Sequence, residues 1–216
     1  MPRTHGTMPF SHVGDSSPLG TMEVRVTAFG REASMEFEGS KSAMTPEGVY
    51  IIGTYDEDGV PNAMNAAWGV QSGYSQITFF LGKHKTTQNL QATGAFTVAF
   101  GTADTVAISD YFGIDSGTKV NKIEKAGVHV HKAPHVNAPV IEEYPVTMEC
   151  TVASYDPNTG ILVGDVVNEI ADDSVITDGH VDLGKLRPII FDPAAREYRV
   201  VGESVGKAWH DGLSLR

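Results

Sequence analysis

Two short segments gather the side chains best suited to holding a ligand. The first is Gly82-Lys83-His84-Lys85-Thr86-Thr87-Gln88-Asn89-Leu90. Two lysines, a histidine and two threonine hydroxyls stand here at the start of a stretch with helical spacing. Positive charge, hydroxyl donors and the free amides at the positive end of a helix dipole are what hold a phosphate. A solvated charge cluster with a threonine N-cap has the same sequence. The surroundings favour the anion. Between Ser42 and Thr118 the only Lys or Arg residues are Lys83 and Lys85, against seven acidic residues. The second segment is Pro61-Asn62-Ala63-Met64-Asn65-Ala66-Ala67-Trp68-Gly69. Its small residues let a ligand approach the backbone, Asn62 and Asn65 bring amide donors and acceptors, and Trp68 offers an aromatic plane. A plain strand with a core tryptophan explains this segment equally well when it is taken alone.

Other motifs fail for lack of context. Gly202-Glu203-Ser204-Val205-Gly206 matches the G-x-S-x-G elbow of serine hydrolases. That chemistry needs an acid and a histidine downstream across a large parallel sheet, and only ten residues follow. The same segment is one residue short of a phosphate loop, and Ala208 stands where a hydroxyl is required for magnesium. His129, His131 and His135 have a spacing that could ligate a metal on one strand face, but no carboxylate or cysteine lies within the cluster. Loop histidines are the simpler reading, and no metal site is expected. Cys150, the single cysteine, lies in the apolar run Thr147 to Val152 and is expected to be a buried, inert thiol. No G-x-G-x-x-G follows a strand, which excludes a Rossmann nicotinamide site. No catalytic acid, base or nucleophile stands out.

The elements that position these residues are mostly strands. Val49–Tyr55, a turn at Asp56-Glu57-Asp58-Gly59 with glycine free to take positive φ, and Asn62–Gly69 read as a hairpin. Gln76–Leu81 is a further strand, and Lys85–Thr93 a helix with Leu90 inward. Ala95–Phe100 places Phe96, Val98 and Phe100 on one face at period two. Thr102–Phe112 has helical spacing. Gly113–Pro139 reads as irregular, with a short helix within Lys119–Ala126. Val146–Tyr155 and Ile161–Ile170 form a second hairpin around Asp156-Pro157-Asn158-Thr159-Gly160. Short strands at 189–191 and 198–201 follow. Recurring hairpins without βα alternation indicate a closed antiparallel barrel with inserted helices.

The chain's 216 residues carry a formal charge of -11, with 41% hydrophobic and 20% charged residues. This supports one folded domain over residues 41–216, preceded by a disordered or irregular arm at 1–40. The acidic balance excludes whole-surface binding to nucleic acid or an anionic membrane. No run has transmembrane length. A lone cysteine and the lack of an apolar leader point to the cytoplasm.

Several motifs in order resemble the flavin reductase-like, FMN-binding split-barrel family, and its flavoredoxin branch in particular. They are Ile52 to Trp68, His84 to Leu90, Phe96-Thr97-Val98, Asp110-Tyr111-Phe112-Gly113 with Ser116-Gly117, Glu149-Cys150, and Gly202 to Ala208. The resemblance spans about Thr45 to Trp209. It implies a six-stranded antiparallel Greek-key split β-barrel with peripheral helices, between all-β and α+β in class, assembled as a homodimer with FMN near the subunit interface. By position, it implies that Asn62, Met64, Asn65, Ala66, Ala67 and Trp68 lie along the isoalloxazine and ribityl chain. Lys83, His84, Lys85, Thr86 and Thr87 would bind the phosphate, and Phe100 would border the ring. The family often has Thr in place of Asn65, and Arg or Ser near His84. The implied activity is hydride transfer from NAD(P)H to FMN, then electron delivery to a redox partner protein or small acceptor. An FMN-holding carrier without its own NAD(P)H oxidation, a non-redox ligand-binding barrel, and an oxidase of a phosphorylated vitamin are the alternatives.

Overall fold

The structure is a computed structural model that describes residues 44–216. The arm expected at 1–40 lies outside the described residues. In chain order the strands are β1 (Glu47–Gly48), β2 (Tyr50–Tyr55), β3 (Pro61–Ala66), β4 (Gly69–Gln71), β5 (Gln76–Phe80), β6 (Ala95–Phe100) and β7 (Val130–Lys132). They continue as β8 (Pro139–Ile141), β9 (Val146–Asp156), β10 (Ile161–Ala171), β11 (Ile176–Thr177), β12 (His180–Val181), β13 (Ile189–Asp192) and β14 (Glu197–Val200). The helices are α1 (Lys85–Thr93), α2 (Val106–Ile114), α3 (Lys122–Ala126) and α4 (Leu183–Leu186).

The main sheet has seven strands in the order β3-β2-β6-β9-β10-β5-β4, every neighbour antiparallel. Six were expected. The additional strand is β4, whose three residues Gly-Val-Gln carry too little apolar alternation to be read from sequence. The expected return strand to Gly69 ends instead at Ala66. Ala67 and Trp68 then join the two edge strands of the sheet, so it curls back on itself as a split barrel. Phe80 N–H donates to the Trp68 carbonyl at 2.9 Å across this junction.

Period-two alternation assigns the two faces of the sheet. Tyr50 and Ile52 of β2, Phe96 and Val98 of β6, Phe79, Leu162 and Cys150 point into the barrel and form its core with Leu90. Phe96, Val98, Leu90 and Leu162 are wholly buried, each contributing on the order of 1.5–3 kcal/mol. The alternate residues Ile51, Ala63 and Ala99 face outward and are covered by Phe112 of α2, Ile123 of α3 and Ile141 of β8. The thiol of Cys150 is buried as expected, and burial pushes it up to about 12.

The β5–β6 connection crosses the sheet and lays α1 over one barrel end, against β2, β3, β6 and β9. The β2–β3 turn closes with Gly59 at φ +79°, the conformation for which glycine was expected there. The helix expected from Thr102 begins only at Val106, because Thr102 and Thr105 lock the preceding turn. Thr102 N–H donates to Thr105 Oγ1 at 3.0 Å, and Thr105 N–H to Thr102 Oγ1 at 3.3 Å. The short helix expected near Lys119–Ala126 is α3, and the rest of the stretch read as irregular leads into the β7–β8 ribbon, whose three-residue strands are too short for periodicity. β1, β13 and β14 form a separate antiparallel sheet with β13 in the middle.

Candidate functional site

α1 and β3 bring the two ligand-suited segments together. β3 presents Asn62 and Met64 on the side facing α1, and Asn62 Nδ2 donates to Thr86 Oγ1 at 2.9 Å. Beside it, Asn89 Nδ2 donates to Thr54 Oγ1 at 3.1 Å. All four of these polar residues are buried, so the bonds offset the cost of burying them and fix α1 against the barrel end. His84 precedes α1, and its N–H donates to Thr87 Oγ1 at 2.9 Å, which closes the helix start. The first-turn amides of α1 have no intrahelical acceptor.

A cavity of about 290 Å³ opens at this helix start. Asn62, Met64 and Asn65 form one wall, His84, Lys85 and Thr86 another, and the chain from Phe112 to Gly117 with Lys122 the third. A second hollow of about 280 Å³ reaches from Asn62 and Lys85 towards Lys119. Gly117 lies so close to Asn62 that a Cβ there would strike the Asn62 side-chain oxygen. Glycine is thus what lets this loop form the third wall.

Lys122 was missed by the sequence reading. It sits at the start of α3, 4% exposed, with Nζ donating to the Phe112 carbonyl at 2.9 Å. Burial holds its ammonium down to about 8, with nearby Asp115 acting in the opposite sense. No local pattern marks it, because a lysine opening a short helix reads as a solvated charge. Lys85 meets Asp56 of the β2–β3 turn at 3.2 Å. The Asp56 carboxyl lies below the usual range, chiefly through the hydrogen bond from Val60 N–H, with Lys85 adding to it. Asp115, also on the cavity, is engaged by Lys125 at 2.7 Å and by Tyr111 Oη at 3.1 Å. These partners hold its carboxyl low, Lys125 most strongly.

The other expected site residues are placed as follows. Thr86 lines the cavity, whereas Thr87 turns inward and caps α1. Lys83 is exposed and outside the cavity lining. Asn65 lines it while Nδ2 donates to the Ser109 carbonyl at 2.9 Å. Ala66 is in the barrel core, and Ala67 is half-buried at the edge-strand junction. Trp68 is exposed, with Nε1 3.4 Å from Glu47 Oε1. Phe100 lies apart from this cavity, in a cleft at the β4 side of the barrel beside Tyr50. The histidines find carboxylates after all: His129 Nδ1 is 2.9 Å from Glu143 and His131 Nδ1 is 3.1 Å from Glu142. They form separate pairs, and no group of three potential metal ligands occurs among the described residues. No helix among them is long and apolar enough to cross a membrane.

The donor set suits a phosphorylated ligand with an apolar and amide-lined extension. A buried ammonium, a second lysine, a threonine hydroxyl and helix-start amides stand at one end, and Met64 and Asn65 lead away from it. Comparison with known proteins is consistent with this chemistry. The flavin reductase like domain family matches residues 42–182. Flavoredoxin of Desulfovibrio vulgaris (Miyazaki F) is 32% identical with a TM-score of 0.79, covering 83% of this chain and 100% of that one. Flavoredoxin from Methanosarcina acetivorans is 24% identical with a TM-score of 0.77, covering 85% and 99%. An FMN-binding domain of a flavin reductases-like enzyme from Shewanella baltica shares the fold, with 20% identity, a TM-score of 0.67, and coverage of 74% and 88%.

Proposed function

Since this chain belongs to the flavin reductase-like domain family, we propose that it is an FMN-dependent oxidoreductase taking electrons from NAD(P)H and passing them to a redox partner protein or small acceptor. The observation that carries the reading is the buried Lys122 ammonium on a cavity shared with Thr86, Lys85 and the start of α1. Among the described residues this buried cation has a single carbonyl acceptor, which leaves it under-compensated, and a phosphate dianion would compensate it.

In this reading Lys122, Lys85, Thr86 and the first amides of α1 hold the FMN phosphate, with His84 at the rim. Asn62, already bonded to Thr86, sets the position of that hydroxyl. Met64, Asn65, Ala66 and Ala67 border the path from the phosphate towards Trp68, where the ring would lie. The reading leaves Thr87 as the cap of α1, Lys83 as a long-range charge, and Phe100 too far from the Asn62 cavity to be assigned a contact. When bound, FMN supplies the hydride and single-electron chemistry, and the protein supplies position and electrostatics. No acid or base on the chain is required. The protein works as a homodimer in the cytoplasm, where nicotinamide donors are plentiful. Trp68, 64% exposed on one chain, is suited to being covered by a second copy.

Titrating the purified protein with FMN tests this, read by quenching of flavin fluorescence. Stoichiometric uptake is expected, followed by anaerobic loss of the flavin colour on adding NADH or NADPH. Failure to bind FMN overturns the reading. Binding without bleaching by either nicotinamide reduces it to an electron carrier supplied by another protein.

A further inference from the structure

On β3, Asn65 is half-buried on the wall of the Asn62 cavity. An amide side chain has a nitrogen that donates and an oxygen that accepts, and which of them a ligand meets depends on what holds the other. Here α2 holds the nitrogen. Asn65 Nδ2 lies 2.9 Å from the Ser109 carbonyl. A carbonyl can only accept, so it is the nitrogen and not the oxygen that faces the helix.

A second group reaches the same side chain from outside the barrel. Tyr198 of β14 donates its phenol proton to Asp110 Oδ1 at 2.8 Å, and Asp110 follows Ser109 on α2. With its proton committed, the phenol oxygen is left to accept. The Asn65 side chain meets it there, acting on the phenol in the sense of an N–H donor and against the effect of Asp110. Burial, then Asp110, push the phenol up to about 12, so it keeps its proton at physiological pH. Tyr198 is itself held in place. Its ring packs on Phe191 of β13 with centroids 5.7 Å apart, and β13 is tied to the barrel by Ile189 N–H donating to the Gly101 carbonyl at 2.9 Å. Tyr198 also stands beyond residues 42–182, the stretch that the family matches, so membership assigns it no role.

We propose that Tyr198 is a positioning residue: with Asp110 and the Ser109 carbonyl it holds the Asn65 amide nitrogen away from the cavity, so that Oδ1 faces the ligand as an acceptor. Asn65 then takes a hydrogen bond from a donor on the ligand, which on FMN is a ribityl hydroxyl or a ring N–H. A ligand that offers only acceptors at this point gains no bond and loses its hydration there. This assignment rests on the FMN reading above and adds to it the group that decides the polarity of one contact.

Tyr198→Phe keeps the ring on Phe191 and removes only the oxygen. FMN affinity, measured on the full chain by fluorescence quenching, should fall about fivefold, the weight of one hydrogen bond. In an Asn65→Ala chain the same change should have no further effect, because Tyr198 acts through Asn65. In the cofactor-free protein, the side-chain amide proton signals of Asn65 should shift on Tyr198→Phe, as nitrogen-edited NMR would show. A flavin phosphate carrying a plain pentyl chain in place of the ribityl group separates the two donors. If Asn65→Ala weakens FMN alone, the donor is a hydroxyl; if it weakens both ligands, the donor is a ring N–H. Unchanged FMN affinity in Tyr198→Phe, an equal loss in the Asn65→Ala background, or unmoved Asn65 amide signals overturns the proposal. A wild-type protein that takes up no FMN overturns the ligand reading as well. Uptake by the wild type together with any of those results removes the role of Tyr198 and leaves the cofactor in place.

Discussion

Lys122 is the residue on which cofactor affinity should turn. Its ammonium is held down to about 8 because burial disfavours the charge. Below that pH it is charged and attracts a phosphate; above it, it is neutral and the attraction is lost. FMN phosphate stays dianionic throughout, its second ionisation lying near pH 6. The FMN dissociation constant should therefore rise roughly tenfold or more between about pH 7 and 9.5, the weight of one charged hydrogen bond. Lys122→Met should weaken binding at pH 7 by about 10–100-fold and flatten the profile; a fluorescence titration series in pH checks both. Gly117 tests the opposite wall. Gly117→Val must displace Asn62, so FMN affinity should fall at least tenfold, and because the buried Asn62–Thr86 bond is disturbed the melting temperature should fall with it, as calorimetry would show.

At the scale of elements, α1 joins the barrel to the site. Its docking depends on Asn62–Thr86 and Asn89–Thr54, both buried. Asn89→Leu leaves the Thr54 hydroxyl without its donor and should cost about 1–3 kcal/mol in urea unfolding. Glu149 plays a comparable part between β9, β10 and the loop before β8. It is wholly buried, accepting from Asn168 Nδ2 at 2.7 Å and from His135 N–H at 2.8 Å. Glu149→Leu strands both donors and should cost about 3–5 kcal/mol, whereas Glu149→Gln should retain part of the stability. The same denaturant midpoints measure this. The two hairpins and α1 were readable because strands of eleven and six residues and a nine-residue helix carry enough residues for a period to emerge. β4, β7 and β8, of three residues each, do not.

For the whole molecule, the barrel is a scaffold with two unlike openings, α1 over one and the Phe100 cleft at the other. Phe96 fills the space between, and Phe96→Ala should cost about 3–5 kcal/mol by opening a cavity, seen as a lower denaturant midpoint with the slope retained. The sequence by itself was enough for the antiparallel class, the two hairpins and the polar start of α1, and it raised the expectation of a phosphate-bearing ligand. Each of these is written in neighbouring residues, as a period of two, a turn signal or a charge set apart from its surroundings. The tertiary structure decided that Asn62 meets Thr86, that Thr87 serves the helix and not the cavity, and that Phe100 opens onto a different face. It also brought Lys122 to Phe112 and the start of α1, beyond the stretch in which Lys83 and Lys85 stood alone. Apart from the Thr87 cap, these contacts join residues 10 to 50 positions apart, and their distances are set by how the sheet curls. No spacing along the chain encodes that, because curvature arises from the summed twist and closure of seven strands.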